Sequence, residues 1–284
     1  MTRTEQPRAF STSAIPICLT IAGTDPSGGA GIQADIKAFS ALGVYAASVI
    51  TAVVAQNTRG VTAVQDMPPA MVAAQMDAVF GDLSVDAVKI GMLSVPETIE
   101  TVARGLTGYT GPIVLDPVMV AKSGDRLLSL EAISTLRDKL LPRATLLTPN
   151  LPEAACLLDC EVAESESEAV EQGRALLALG AEAVLMKGGH SRTENCTDIL
   201  LRAGAEPLRL TAPRIDTRNT HGTGCTLSSA IAAELAKGLP LEDAFIAAHA
   251  YLQGAIRAAD RLRVGSGNGP VHHFHALWTM GARP

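Results

Sequence analysis

At least five times between Ile15 and Lys187, a short β-branched or aliphatic run stops at a polar or glycine-bearing tip and yields to a segment with helical spacing. The strand-like runs are Ile15–Gly23, Tyr45–Ala55, Val85–Ile90, Ile113–Met119, Ala144–Thr148 and Ala183–Met186. Helical spacing marks 31–39, 67–80, 96–106, 129–140, 168–179, 225–237 and 241–260. Parallel strands need long crossovers, usually helices, so this alternation predicts an α/β fold with a mostly parallel, doubly wound sheet. Segments 197–201 and 207–213 look like short antiparallel strands returning the chain to its last third. No shift in composition divides the chain. One domain is expected over 15–284, after a polar, poorly ordered segment 1–14.

A 284-residue chain that is 47% hydrophobic can bury a sizeable core, and with 3% aromatic residues that core should be aliphatic. The net charge of −6, without a Lys/Arg block, argues against a nucleic-acid partner. No run approaches the roughly 18 apolar residues of a membrane span, and the first residues lack a signal-peptide core, so a cytoplasmic location is expected. Five scattered cysteines do not make a disulfide framework. Cys156 and Cys160 stand at i, i+4, where burial on an apolar helix face is favoured over metal binding.

Ligands of open parallel sheets bind beyond the carboxyl ends of the strands, so the tips carry the candidates. After the first strand comes a glycine-rich loop. Its Gly29-Ala30-Gly31-Ile32-Gln33-Ala34 fits a dinucleotide fingerprint, but the next strand runs into Gln56-Asn57 and not into the acidic residue that would hold a ribose. Asp116 ends another strand, as a metal or phosphate neighbour or as a loop cap before Pro117. Asn150 and Glu153 suit a hydrated Mg²⁺, although Glu is also favoured at a helix start. Lys187 either meets a phosphate or is simply solvated. Ala121–Asp125 is a polar loop suited to movement. His272, His273 and His275 lack supporting carboxylates, so a surface tail is favoured over a metal site.

Asn219-Thr220-His221-Gly222-Thr223-Gly224-Cys225 draws these tips together. Two glycines permit a tight turn, and the amides of Gly222, Thr223, Gly224 and Cys225 would open at a helix N-terminus, where an anion is favoured. A thiol on that first turn is expected to have a lowered pKa. A plain structural turn would use the same residues. No GxxxxGK[ST] occurs, which excludes a P-loop NTPase. An anion-holding turn, a potential base, a cation pair and a phosphate lysine nevertheless suit phosphoryl transfer.

Ile21–Asp35, Thr51–Thr58, Lys89–Leu93, Asp116–Met119, Thr148–Glu153, Met186–His190 and Asn219–Cys225 together resemble the ribokinase-like family. Within it they look like the hydroxymethylpyrimidine/phosphomethylpyrimidine kinases of thiamine biosynthesis, from about Ile17 to the Gly-Pro-Val-His-His-Phe-His tail. The resemblance implies a three-layer α/β/α fold. It also implies ATP-dependent phosphorylation of 4-amino-5-hydroxymethyl-2-methylpyrimidine and then of its monophosphate. Carried over, Gln56 would read the aminopyrimidine edge while Gly23, Asp35, Met92 and Met119 line the pocket. Cys225 would be the base, with Gly222, Thr223 and Gly224 as anion hole. Lys187, Asn150 and His221 would serve ATP, and Glu153 and Asp116 would serve Mg²⁺. The tail becomes a family feature with no metal role. Cysteine in place of the aspartate of many sugar kinases disfavours a sugar substrate. A homodimer is the expected assembly. Pyridoxal kinase activity and a non-catalytic pyrimidine sensor are the alternatives.

Overall fold

The computed structural model describes residues 15–119, 128–190 and 194–278. In chain order the elements begin with β1 (Ile17–Ala22), α1 (Gly31–Ala41), β2 (Tyr45–Ile50), β3 (Ala52–Asn57), β4 (Gly60–Asp66) and α2 (Pro69–Asp82). Next come β5 (Ala87–Ile90), α3 (Pro96–Gly105), β6 (Ile113–Leu115), α4 (Leu130–Lys139), β7 (Leu146–Leu147), α5 (Leu151–Leu158) and α6 (Glu166–Ala178). The chain continues through β8 (Ala183–Met186), β9 (Asn195–Arg202), β10 (Leu208–Pro213), α7 (Thr223–Ala236) and α8 (Leu241–Arg257). Pro69 and Pro96 open α2 and α3, where a missing N–H costs no intrahelical bond.

Eight strands form one sheet in the order β10-β9-β8-β7-β6-β5-β1-β2, parallel from β2 through β8 and antiparallel at β9 and β10. Side chains alternate between its two faces, as the period-2 pleat requires. Leu19, Ile21, Ile113, Leu115, Val184 and Met186 enter one core with Val72, Ile99, Leu136 and Leu176 from α2, α3, α4 and α6. Cys18, Val114, Ala183 and Leu185 enter a second core with Phe39, Ile231 and Phe245 from α1, α7 and α8. This is the three-layer α/β/α arrangement expected. β1 has β2 on one side and β5 on the other, so the order of winding reverses there, which is the place where open α/β sheets bind their ligands.

The run Tyr45–Ala55 is not one strand. β2 ends at Ile50; Thr51 turns the chain, its amide bonding to Ala22 O at 3.0 Å and its hydroxyl to Met92 O at 3.0 Å. β3 then pairs antiparallel with β4 as a separate hairpin. Apolar β-branched residues on both sides of it, Val49 and Ile50 before and Val53 and Val54 after, hid the break. The hairpin is pinned over the end of β1 by Thr24 N to Ala52 O at 2.9 Å and Val54 N to Thr24 Oγ1 at 3.0 Å. Gln56 therefore sits on this hairpin and not at a tip of the main sheet.

Two further expectations are corrected. Cys156 and Cys160 are exposed, because the apolar face of the short α5 is carried by Ala154 and Leu157 instead. The histidine tail is no surface tail: His272 and His273 are buried, and His273 is bonded to α7. Segment 1–14 and the Ala121–Asp125 loop lie outside the described residues. Among the described residues, no helix is long and apolar enough to cross a membrane.

Candidate active site

Two glycine loops meet above β1. Asp25 organises the first. Its carboxylate accepts from Ser27 N (2.9 Å), Ser27 Oγ (2.7 Å), Gly29 N (3.2 Å) and Ala30 N (2.7 Å). It also lies 2.8 Å from His221 Nε2, in the second loop. Burial raises the Asp25 carboxyl, but the bonds from His221 and Ser27 outweigh that and hold it below its ordinary value. Gly222 has φ 77°, in the left-handed region, and a Cβ there would strike the carbonyl oxygen of Gly29. The close approach of the two loops is what demands glycine at 222.

Gly222 caps α7, and the first-turn amides that follow have no acceptor within the helix. Thr226 bonds back to Gly222 O at 2.7 Å and meets His273 Nε2 at 3.0 Å. Burial pushes His273 down to about 3, so this brace is a neutral imidazole. A Cβ on Gly224 would stand 3.3 Å from Lys187 Nζ. The anion-holding turn thus faces the lysine directly.

Cys225 does not have the lowered pKa expected of it. It is half-buried on the first turn of α7, and burial pushes its thiol up to about 11. Lys89 lowers it and Asp35 and Asp116 raise it, while the Gly31 amide lowers it by a hydrogen bond. Desolvation and two carboxylates outweigh one lysine, one amide and a helix terminus.

Asp35 is fully buried and paired with Lys89 at 2.9 Å through both oxygens. It also accepts from Thr20 Oγ1 (2.6 Å) and Ser229 Oγ (2.7 Å). A carboxylate so enclosed underlies the pocket and does not form its wall. Burial lowers Lys89, but Asp35 more than compensates and the ammonium stays charged. A lysine inside the otherwise apolar β5 was the one signal of this pair, since a buried ammonium must have a partner.

At the other side, Asp116 follows β6 and accepts from Lys187 Nζ (2.8 Å), Thr148 Oγ1 (3.1 Å) and Ser228 Oγ (3.3 Å). Lys187 Nζ is also 3.7 Å from Glu153. The Asn150/Glu153 pair is a capping box: Asn150 Oδ1 accepts from Glu153 N and Glu153 Oε2 from Asn150 N, each at 2.8 Å. Asn150 is therefore committed to starting α5. Burial raises the Glu153 carboxyl to about 7, with Lys187 lowering and Asp116 raising it. Burial likewise raises Asp116, but Lys187 and Lys89 bring it below its ordinary value.

Among the described residues, no group of three or more His, Cys, Asp or Glu side chains is placed to hold a metal. Asp116 and Glu153 offer hard oxygen donors beside the partly buried Lys187 ammonium. That fits Mg²⁺, which takes one or two carboxylates and completes its shell with water and phosphate. A buried carboxyl raised to about 7 is also one that a cation would ionise.

Of the remaining sequence-predicted residues, Gly23, Met92 and Gln56 fall on the hairpin side. A Cβ on Gly23 would lie 2.6 Å from Met92 Cε, so these two adjoin. Met119 is instead buried in the core that the sheet shares with α2, α3, α4 and α6, and its amide bonds the Glu153 carboxyl. The Gln56 amide is 3.3 Å from His221 Nε2. His221 therefore faces Asp25 and Gln56 and not the Lys187 cluster. The sequence reading gave no role to Lys89, Asp25 or Thr226, and weighed His273 only as part of a metal site or a surface tail; these residues tie the loops to the sheet and tail.

A family model described as "Phosphomethylpyrimidine kinase" matches residues 25–272. A hydroxymethylpyrimidine/phosphomethylpyrimidine kinase from Rhizobium meliloti is 59% identical, with 92% of this chain and 98% of that protein covered. Among solved structures, the phosphomethylpyrimidine kinase of Clostridium difficile aligns with a TM-score of 0.75 and 43% identity, covering 85% of this chain and 99% of that one. An ADP complex of Bacillus subtilis pyridoxal kinase aligns with a TM-score of 0.86 and 35% identity, covering 94% and 100%.

Proposed function

The chain belongs to the phosphomethylpyrimidine kinase family, and from that premise we propose how its site works. It phosphorylates 4-amino-5-hydroxymethyl-2-methylpyrimidine with ATP and then its monophosphate to the diphosphate, in thiamine diphosphate biosynthesis. The observation that carries the assignment of roles is the position of Cys225, on the first turn of α7 and within electrostatic reach of both the Lys89–Asp35 and the Lys187–Asp116 pairs.

The hydroxymethyl O–H gives its proton to the Cys225 thiolate, which becomes the thiol, as the oxygen bonds to the terminal phosphorus of ATP. The bond from that phosphorus to the bridging oxygen breaks, and ADP leaves. The amides of Gly222 to Cys225 hold the charge of the moving group, and Lys187 neutralises phosphate oxygens. Gln56, Gly23 and Met92 hold the ring, with Asp35 and Met119 supporting the pocket from below. Asp116 and Glu153 would hold Mg²⁺, which supplies charge neutralisation between phosphates. A cytoplasmic location and a homodimer belong to the same proposal.

Purified protein with ATP, Mg²⁺ and the pyrimidine should yield first the monophosphate and then the diphosphate, resolved by anion-exchange chromatography. If neither forms, the proposal is wrong. The likeness to a pyridoxal kinase at TM-score 0.86 favours a second reading, in which pyridoxal is also turned over. The closer sequence likeness to the pyrimidine kinases makes pyridoxal the poorer substrate. A non-catalytic sensor would have no use for the Cys225, Asp116 and Lys187 arrangement.

Glu153→Gln tests the metal assignment. Glutamine keeps an oxygen for the Asn150 amide, so the helix cap survives while the charge goes. The Mg²⁺ concentration for half-maximal rate is expected to rise roughly 10-fold, in the range for lost metal-supporting groups. The difference in thermal midpoint between the variant and wild type should also depend on pH. The folded Glu153 binds its proton more tightly than the unfolded one, so its contribution is fully present below about pH 4.3 and is lost as pH rises through about 7. The variant should therefore gain on wild type between pH 5 and 8. An unchanged Mg²⁺ dependence would remove Glu153 from the metal site.

A further inference from the structure

The contacts among Asp25, His221 and Gln56 contain a conflict whose resolution bears on specificity. Asp25 is buried and already accepts from three backbone amides and a hydroxyl, so it is an acceptor throughout. It lies 2.8 Å from His221 Nε2. A carboxylate that only accepts requires the hydrogen of that bond to sit on Nε2. The same Nε2 is 3.3 Å from the terminal nitrogen of Gln56. A ring nitrogen that carries a hydrogen offers no lone pair, so in that pose two donors face each other. A half-turn of the Gln56 amide replaces its nitrogen with its oxygen and turns the clash into a shared acceptance.

We propose that Asp25 and His221 are positioning residues that fix the hand of the Gln56 amide, carbonyl oxygen toward His221 and NH₂ away from it. The carbonyl has a second lone pair for the substrate. The pocket then wants an N–H donor on the His221 side and a lone pair beside it. An exocyclic amino group next to a ring nitrogen meets both demands. A ring substituent that presents an oxygen on the His221 side faces the Gln56 oxygen and is repelled. The aminopyrimidine edge is thus selected over a pyridoxal-like edge by a proton held on a histidine that touches neither.

This inference rests on the proposed kinase function and deepens it. The test compares kcat/KM for the aminopyrimidine alcohol with that for the analogue lacking the 4-amino group, in wild type, Asp25→Asn and His221→Leu. A site built to bond a polar group rejects the analogue lacking it strongly, so wild type should prefer the amino compound by about 100-fold or more. In either variant the Gln56 amide is free to turn, and the preference should shrink at least 10-fold. The ratio within one protein cancels any general loss of loop order, which a merely structural role would produce. A preference that stays within 2-fold of wild type overturns the inference.

If both variants fail to fold, ¹⁵N spectra of histidine-labelled wild type decide it. His221 Nε2 must read as a protonated ring nitrogen, and an unprotonated Nε2 overturns the assignment. If wild type phosphorylates neither alcohol, it is the kinase function that fails, and the ¹⁵N measurement still judges the proton.

Discussion

Cys225→Ala is expected to lower kcat by about 10²- to 10⁴-fold, the range that general-base assistance supplies, while the dissociation constant for the pyrimidine stays within a few-fold. The side chain is removed where the proton must go, and the amides of the turn remain. Wild type should show the accompanying pH signature. With the thiol pushed up to about 11, the thiolate fraction rises about tenfold per pH unit below that value, so log(kcat/KM) should climb toward alkaline pH with a slope near one. The variant should be flat over pH 7 to 10. Stability carries the opposite sign. The folded thiol holds its proton more tightly than an unfolded one near 8.5, so its stabilisation is complete below about 8.5 and is lost as pH rises through 11. Thermal midpoints of wild type should fall more steeply than those of the variant across that window. Undiminished turnover in Cys225→Ala would remove the base assignment.

The layer order and most strands were legible because burial on both faces writes continuous apolar runs, and each such run ended at a turn residue. The hairpin of β3 and β4 was not. β4, Gly60-Val61-Thr62-Ala63-Val64-Gln65-Asp66, is largely exposed and alternates weakly, and β3 continues the apolar character of β2 without a break. The turn at Thr51 is made by hydrogen bonds to Ala22 and Met92, which are distant in sequence.

The site was legible as a set of strand tips but not as a circuit. Lys187, Asp116 and Glu153 were each visible as charged residues after apolar strands, and the sheet order β6-β7-β8 brings them together. For Asn150 and Glu153 the sequence left a cation pair and a helix start open; the capping box engages both side chains, Asn150 through Oδ1 and Glu153 through Oε2. The Cys225 pKa departs from the expected one because local helix position was visible in the sequence, whereas the burial of the thiol and the neighbouring Asp35 and Asp116 were not. Asp35 and His221 were placed on the right motifs, but their partners, Lys89 and Asp25, decide what each can touch.

Lys89→Met is expected to destabilise the fold by ~3–5 kcal/mol, the cost of leaving one partner of a buried pair uncompensated. Asp35 would keep only the hydroxyls of Thr20 and Ser229, with no cation and no access to water. Adding Asp35→Asn should recover more than half of the loss, because a neutral amide can accept from one hydroxyl and donate to the other. Urea unfolding of the two single variants and the double variant measures this as a cycle. The same substitution reaches the chemistry. Lys89 lowers the Cys225 thiol, so removing it alone raises the thiol further and moves the alkaline limb of log(kcat/KM) to higher pH. Removing Asp35 as well takes away a charge of opposite effect and should bring the limb back toward wild type. A purely structural ion pair would lose stability in Lys89→Met and leave the limb where it was. A loss under about 1 kcal/mol would overturn the reading of Lys89 and Asp35 as a buried pair in which each charge needs the other.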